Sequence, residues 1–289
     1  MKVALFYNDD AGEGATLRQI REAIEEHGHS IVRVVEKDDD PKSLLDETAE
    51  LVVAAGGDGT VAEAARVVAG HGIPLAVLPL GTANNIASSL GHTGSAVELI
   101  RSWDPNRRQP LDLGVAVDPT GNKRFVEGVG GGFIPAGIRR MQDEPSSERR
   151  VASKLVQAME TFRDVLLQLE PRPCSLTVDG SMTTGDFLLI EALNISSIGP
   201  LLTLSSEADP SDGFLTVVTA GEAHRAALVE YVEARVAGED RRLRLPTQRA
   251  RQVTMRGWDV IHVDDAVISV PSTESVSIRL EAAALERLA

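Results

Sequence analysis

An unbroken apolar run, Leu51-Val52-Val53-Ala54-Ala55, leads straight into Gly56-Gly57-Asp58-Gly59-Thr60. A strand with no polar alternation is buried on both faces, which is the condition of a parallel sheet covered by helices. The arrangement recurs: Leu75 to Leu78 reads as another such strand, followed by Leu80-Gly81-Thr82-Ala83-Asn84-Asn85. Helical patterns are expected at Ala15 to His27, Pro41 to Thr48, Val61 to Ala69 and Thr82 to Leu90, with further strands at Lys2 to Tyr7 and Ser30 to Val35. Strand and helix alternating in this way predict a doubly wound, mostly parallel sheet.

The rhythm changes between Asp112 and Val117. Leu111 to Val129 reads as strand, turn, strand, with the turn at Asp118-Pro119-Thr120-Gly121-Asn122. A long helix is expected over Ser147 to Leu169, stopped by Pro171. Short strands separated by Gly, Asp and Pro turns follow, from Ser175 to Leu280, and predict an antiparallel β-sandwich-like domain. The expected division is an α/β domain over residues 1–114, with the tail 281–289 packing back on it, and a β-rich domain over 115–280.

The glycine loops carry the chemistry. Glycine lets the backbone approach a ligand with no Cβ in the way. A helix that starts there offers free N–H groups and the positive end of its dipole, which suits phosphate. Asp58 would repel a bare phosphate, so its presence points to a divalent cation between carboxylate and phosphate. A tight turn with an aspartate cap fits the same residues, and both readings stay open on the loop alone. Thr82 and the asparagines after it suit phosphate or ribose, while Thr82 also suits a helix cap. Asn8 to Gly14, after the first strand, reaches the same carboxyl edge of the sheet, where such folds bind ligands. Three polar, glycine-bearing loops on one edge favour a nucleotide.

Composition narrows the class. Of 289 residues 43% are hydrophobic and 25% charged, the mix of a globular protein. Net charge is -14 and only 3% of residues are aromatic, which argues against nucleic acid as a partner. Cys174 is the sole cysteine, so no intrachain disulfide forms, and the thiol is read as structural. The run Val3 to Tyr7 is too short for a signal peptide and no apolar stretch is long enough to span a bilayer, so a cytoplasmic protein is expected. The six histidines show no metal-ligand spacing. His262 is read as a strand residue, with a functional neighbour as the alternative. Asn194-Ile195-Ser196 matches a glycosylation sequon by chance in a cytoplasmic chain.

The segments Gly56 to Thr60 and Pro79-Leu80-Gly81-Thr82-Ala83-Asn84-Asn85-Ile86-Ala87 together resemble the catalytic domain of the diacylglycerol kinase, sphingosine kinase and bacterial lipid kinase family. The resemblance continues through Leu111-Asp112-Leu113-Gly114, Phe125 to Gly132, Asn194 to Ala208, Asp212-Gly213-Phe214-Leu215 and Ile261-His262-Val263-Asp264. NAD kinases share the Gly-Gly-Asp-Gly loop, but the Gly-Thr-Ala-Asn-Asn segment is similar to the lipid branch. The resemblance implies a nucleotide cleft between the two domains. It also implies transfer of the γ-phosphate of ATP to a lipid hydroxyl, with Mg²⁺ as cofactor. Asn8, Gly56, Gly57, Asp58, Gly59, Thr60, Gly81, Thr82 and Asn85 would then hold the nucleotide, with Asp58 and Asp264 catalytic. Family members also bind a structural Mg²⁺ at the loop matched by Asp212 and Leu215.

Three departures accompany the resemblance. The family's catalytic Asp-Gly-Glu reads Asp264-Asp265-Ala266 here, which removes the expected proton acceptor. The first loop lacks the usual Asn-Pro start, and a triple glycine has become Gly199-Pro200-Leu201. A lipid kinase with reduced activity is therefore expected. The alternatives are a silent nucleotide- or lipid-binding relative and a kinase of a soluble polyol. Arg235 to Arg256 holds seven arginines against Glu239 and Asp240. That segment suits peripheral contact with an anionic inner-membrane surface, or a solvated face paired with acids elsewhere. A homodimer is an open expectation.

Overall fold

The computed structural model describes residues 1–8, 14–143, 151–239 and 241–288, and of 151–153 only the backbone. The middle of the expected first loop and the expected helix start at Ser147 lie outside the described residues. The chain forms two compact units, Met1–Asp112 with Ala282–Ala289, and Leu113–Glu281.

In the first unit, β1 (Lys2–Tyr7), β2 (Ser30–Glu36), β3 (Leu51–Gly56) and β4 (Leu75–Pro79) lie in the order β2-β1-β3-β4, all parallel. Every residue of β3 is buried, as its apolar run requires. α1 (Leu17–Glu26) starts at a capping box in which Thr16 and Gln19 each bond the other's backbone. Its Ile20 and Ile24, with Ile100 of α4 (Ala96–Ser102), pack on Val3, Leu5, Val53 and Leu78. α2 (Asp58–Val68) buries Val61, Ala64, Ala65 and Val68, and α3 (Asn85–Ser89) is short. Between β2 and β3 the expected helix is a single 3₁₀ turn, Pro41–Leu44.

β5 (Arg108–Asp118) carries the chain into the second unit and forms a hairpin with β6 (Gly121–Phe125). Next come β7 (Gly128–Gly132), α5 (Phe133–Asp143), α6 (Val151–Gln168), β8 (Arg172–Val178) and β9 (Ser181–Phe187). They are followed by β10 (Leu189–Leu193), the short pair β11 (Ser197–Ile198) and β12 (Leu202–Thr203), β13 (Leu215–Ala220), and α7 (Arg225–Val236). β14 (Thr247–Ala250), β15 (Gln252–Arg256), β16 (Val260–Val263), β17 (Ala266–Ser269) and β18 (Ser275–Leu288) complete the chain. β14-β13-β10-β7-β16-β17 is an antiparallel sheet. The first part of β18 joins β15, β8 and β9 in a second antiparallel group. The last residues of β18 belong to the first unit, where Arg287 stands opposite Leu75 of β4.

Alternation along the six-stranded sheet explains its two faces. Ile190, Ala192, Leu215, Val217, Ile261 and Val263 meet residues of β8, β15 and β18 in a sandwich core. Leu189, Leu193, Val218 and Ala220 point the other way, onto Phe133, Phe162 and Tyr231 of α5, α6 and α7. Sequence reading missed α5 and α7. Pro135 stands in the first turn of α5, where proline is tolerated. Gly137 lies where a Cβ would come within 2.8 Å of the Phe162 ring.

The glycines of β7 are imposed by packing. A Cβ on Gly131 would sit 2.4 Å from the Trp258 ring, and one on Gly130 would sit 2.1 Å from Glu191 Oε2. Gly131→Ala is expected to lower stability by about 1–3 kcal/mol, the usual cost of overpacking. Urea unfolding of the variant beside the wild type measures it.

Candidate functional site

The chain leaves β1 toward β2 on one side and returns to β3 on the other, so β1 and β3 flank the switch point of the sheet. Tyr7 and Ala55 are register partners, and Asn8 N donates to Ala55 O at 3.0 Å. The loops after β1 and β3 thus begin side by side. Asn8 Nδ2 donates to Thr60 Oγ1 at 3.2 Å. Gly56 ends β3, where a Cβ would meet the Thr60 side chain at 2.4 Å. Gly57 is the N-cap of α2, and Asp58, Gly59 and Thr60 form its first turn. The helix therefore begins three residues before the expected Val61.

The loop after β4 is pressed against this one. A Cβ on Gly81 would lie 2.5 Å from Gly57 Cα, so position 81 needs glycine for the backbones to approach. Asn84, at φ 53°, closes the second loop on itself. Its Oδ1 accepts from Gly81 N at 2.9 Å and its Nδ2 donates to Gly81 O at 2.8 Å. Asn84, not Thr82, is the N-cap of α3, and Thr82 is exposed. Asp58 Oδ1 accepts from Ile86 N at 2.9 Å, which ties the first turn of α2 to α3. Asn85 is buried in that helix. The structure therefore gathers Asn8, Gly56 to Thr60, Gly81 and Asn85 around two joined loops at one edge of the first unit.

Asp264 lies in the second unit. It opens the turn between β16 and β17 at φ 51°, and Val263 pairs with Ala266. Asp264 Oδ1 accepts from Val126 N at 3.0 Å and Glu127 N at 2.8 Å. Asp264 N donates to Gly128 O. Its buried carboxylate anchors the entry to β7. Asp265 and Ala266 are exposed.

The sequence did not reveal what stands behind this turn. Glu191 on β10 and His262 on β16 both face Gly130 of β7 in register. The absent side chain of Gly130 lets them meet across that strand, with Nε2 and Oε2 2.9 Å apart and both residues fully buried. His262 Nδ1 lies 2.8 Å from the Asp264 carbonyl, an acceptor only, so Nδ1 carries a proton. The second contact then holds one further proton between Nε2 and Oε2. Burial opposes charge on His262, but the Glu191 carboxylate and the Asp264 carbonyl outweigh it and raise its pKa. Burial raises that of Glu191 too, against the pull of His262. Both directions mean that the shared proton is held tightly.

At the loop before β13, Asp212 Oδ1 accepts from Phe214 N at 2.9 Å, and Arg249 Nη2 reaches Oδ2 at 2.6 Å. The Arg249 and Arg251 guanidiniums lie 4.0 and 4.8 Å from the Phe214 ring centroid. Leu215 is register partner to Ala250. Asp212 thus has a guanidinium on one oxygen and a main-chain N–H on the other. Among the described residues no group of three His, Cys, Asp or Glu is placed to hold a metal. Burial pushes the Cys174 thiol up to about 11, so it is no nucleophile. Asn194 of the sequon is buried, with Nδ2 donating to Val126 O at 2.9 Å. No described helix is long and apolar enough to cross a membrane.

Residues 2–116 match the diacylglycerol kinase catalytic domain, and residues 132–280 match the YegS C-terminal NAD kinase beta sandwich-like domain. The chain belongs to the diacylglycerol kinase and YegS-like lipid kinase family. A "Probable lipid kinase YegS-like" of Klebsiella pneumoniae is 31% identical over 217 residues, covering 71% of this chain and 70% of that one. A diacylglycerol kinase of Mycobacterium tuberculosis is 27% identical over 242 residues, covering 79% and 76%. The crystal structure of a diacylglycerol kinase from Bacillus anthracis shares the fold, with a TM-score of 0.73, 19% identity and coverage of 99% and 96%. Against the family's pattern, Leu201 holds φ 59° where the motif has glycine.

The shared proton makes stability depend on pH. Folding raises the His262 pKa above its ordinary 6.5. The contribution of His262 is therefore fully present below that value and is lost as pH rises through the folded one. Glu191→Gln replaces the shared proton by an amide N–H and is expected to flatten stability above pH 6.5. His262→Ala is expected to cost about 3–5 kcal/mol, the scale for breaking a buried pair. Urea titrations across the alkaline range read both.

Proposed function

We propose that the chain is an ATP-dependent lipid kinase that transfers the γ-phosphate to a lipid hydroxyl, with a slow transfer step. The observation that carries this reading is the joining of the two glycine loops, Gly57 against Gly81, at the switch point of the sheet. A side chain is excluded at Gly81, and the first turn of α2 presents main-chain N–H groups of the kind that suit phosphate oxygens. The backbone contact of Gly81 with Gly57 holds the two loops together, so that main-chain groups of both, able to meet phosphate oxygens, lie close to one another. Gly57, Gly59 and Thr60 would take phosphate oxygens, with Asn8, Gly81, Thr82 and Asn85 around them. Asp58 would face phosphate-bound Mg²⁺, whose role is to neutralise phosphate charge. Asp58 also caps α3, so its carboxylate fixes the second loop while it faces the first.

The acceptor side is less complete. Asp264 bonds Val126 and Glu127, so we assign it a positioning role, and Ala266 offers no group that takes a proton. A general base contributes typically about 10²–10⁴-fold to rate. The same observation favours the second reading, a nucleotide- and lipid-binding relative without transfer.

Two experiments test this. Asp58→Asn keeps an acceptor for Ile86 N–H but removes the charge. It is expected to weaken Mg²⁺-dependent ATP binding by on the order of 1–3 kcal/mol in calorimetric titration, and unchanged binding would remove Asp58 from the site. In the second, labelled ATP is offered with diacylglycerol or a sphingosine-like lipid in mixed micelles. Weak phosphorylation is expected from the wild type, with a gain of about tenfold or more in Ala266→Glu. No transfer by either protein, with ATP binding intact, selects the second reading. Transfer to soluble polyols alone would replace the lipid acceptor.

A further inference from the structure

The seven arginines of the 235–256 segment do not form one patch. Arg249 and Arg251 stack on Phe214, while Arg235, Arg241, Arg242 and Arg244 line a cavity of about 660 Å³ in the second unit. The cavity is walled by the loop after β12, by α7 and by the segment before β14. Arg241 is paired with Glu230. Arg235, Arg242 and Arg244 have no ion-pair partner among the described residues, and Arg235 Nε is buried there without a hydrogen bond. Glu207 is the one carboxylate among the described lining residues. Three guanidiniums without an ion-pair partner among the described residues thus line one cavity, in a chain of net charge -14, where acids to pair them are plentiful.

Like charges held together repel, and a bound anion relieves the repulsion. A carboxylate has two oxygens and matches one guanidinium fork, whereas phosphate offers enough oxygens to meet several. Ser205 and Ser206 add hydroxyls to the same wall. Leu204, Leu243 and Leu245 supply apolar surface beside the charges. The volume exceeds what a bare phosphate needs and falls in the usual small-molecule range of roughly 300–1,000 Å³.

We propose that this cavity binds a phosphate-bearing anion, at a site of the second unit separate from the glycine loops of the first. The phosphate comes either from a phospholipid headgroup or from a soluble phosphate, and the chemistry of recognition is the same. The inference does not rest on the kinase reading, because a chain with no transferase activity would still show the binding.

Calorimetric titration of the full chain at low salt with inorganic phosphate and with dihexanoyl phosphatidic acid tests it. The Arg242→Gln/Arg244→Gln variant, both positions exposed, is expected to weaken binding of the phosphate-bearing probe by about tenfold or more, the scale for losing charge-assisted contacts. Arg249→Gln is expected to leave it unchanged. Binding of both probes assigns the site to soluble phosphate, and binding of the lipid alone assigns it to a headgroup. ATP titrated into the same variants separates the two sites: loss of cavity binding with Mg²⁺-dependent ATP affinity kept supports a second site. Absence of binding by both probes overturns the proposal. So does equal binding by wild type and the double variant, whose fold is checked by its thermal midpoint.

Discussion

A strand almost without side chains governs the second unit. β7 runs through the middle of the six-stranded sheet, and at Gly130 a single Cβ would collide with the Glu191 carboxylate. Because nothing projects there, Glu191 and His262 reach each other across the strand and share a proton in a dry interior. His262 then holds the Asp264 carbonyl, Asp264 holds Val126 and Glu127, and those residues lead back into β7. The loop is closed, so its parts stand or fall together. In a dry interior each of these bonds is electrostatically strong, which ties the turn to the sheet.

The glycine loops were readable in the sequence because their signals are local. An apolar run, glycines and a helix start lie within ten residues of one another in each loop, and parallel topology brings the two together. The cap of α3, left open at Thr82 by the sequence, is Asn84, a choice that depends on its left-handed backbone and its bonds to Gly81. The Glu191–His262 pair was out of reach for a different reason: its members are 71 positions apart. One clue was present. Glu191 interrupts Leu188-Leu189-Ile190 and Ala192-Leu193, and a carboxylate inside so apolar a strand needs a partner. The helices α5 and α7 were missed because an antiparallel pattern on either side encouraged reading everything between as turns. Yet Leu228, Tyr231 and Val232 have the spacing of one helical face, and all three are buried.

Asp212 shows how far a motif carries. Its sequence neighbourhood is similar to a family loop, and its carboxylate also meets the guanidinium of Arg249, 37 positions further on. The aromatic ring of Phe214 faces that guanidinium and the next one, so the loop is stapled by side chains of the chain itself. Nothing in the spacing of Asp212-Gly213-Phe214-Leu215 announces the Arg249 contact.

The first unit is discontinuous, and this bears on its birth. Ala283 N donates to Asp112 Oδ1 at 2.7 Å, Gly70 N donates to Ala284 O, and Arg287 reaches Gln109 and stands opposite Leu75. Until residues 282–288 have been synthesised, the outer edge of β4 stays uncovered and the N–H of Ala283 is not yet there to meet the buried Asp112 carboxylate. A ribosome releasing the chain therefore exposes a parallel sheet with an unpaired border through the whole time that the second unit is being made. Such a border is an invitation to wrong pairing. The unit translated first is in this sense the one finished last.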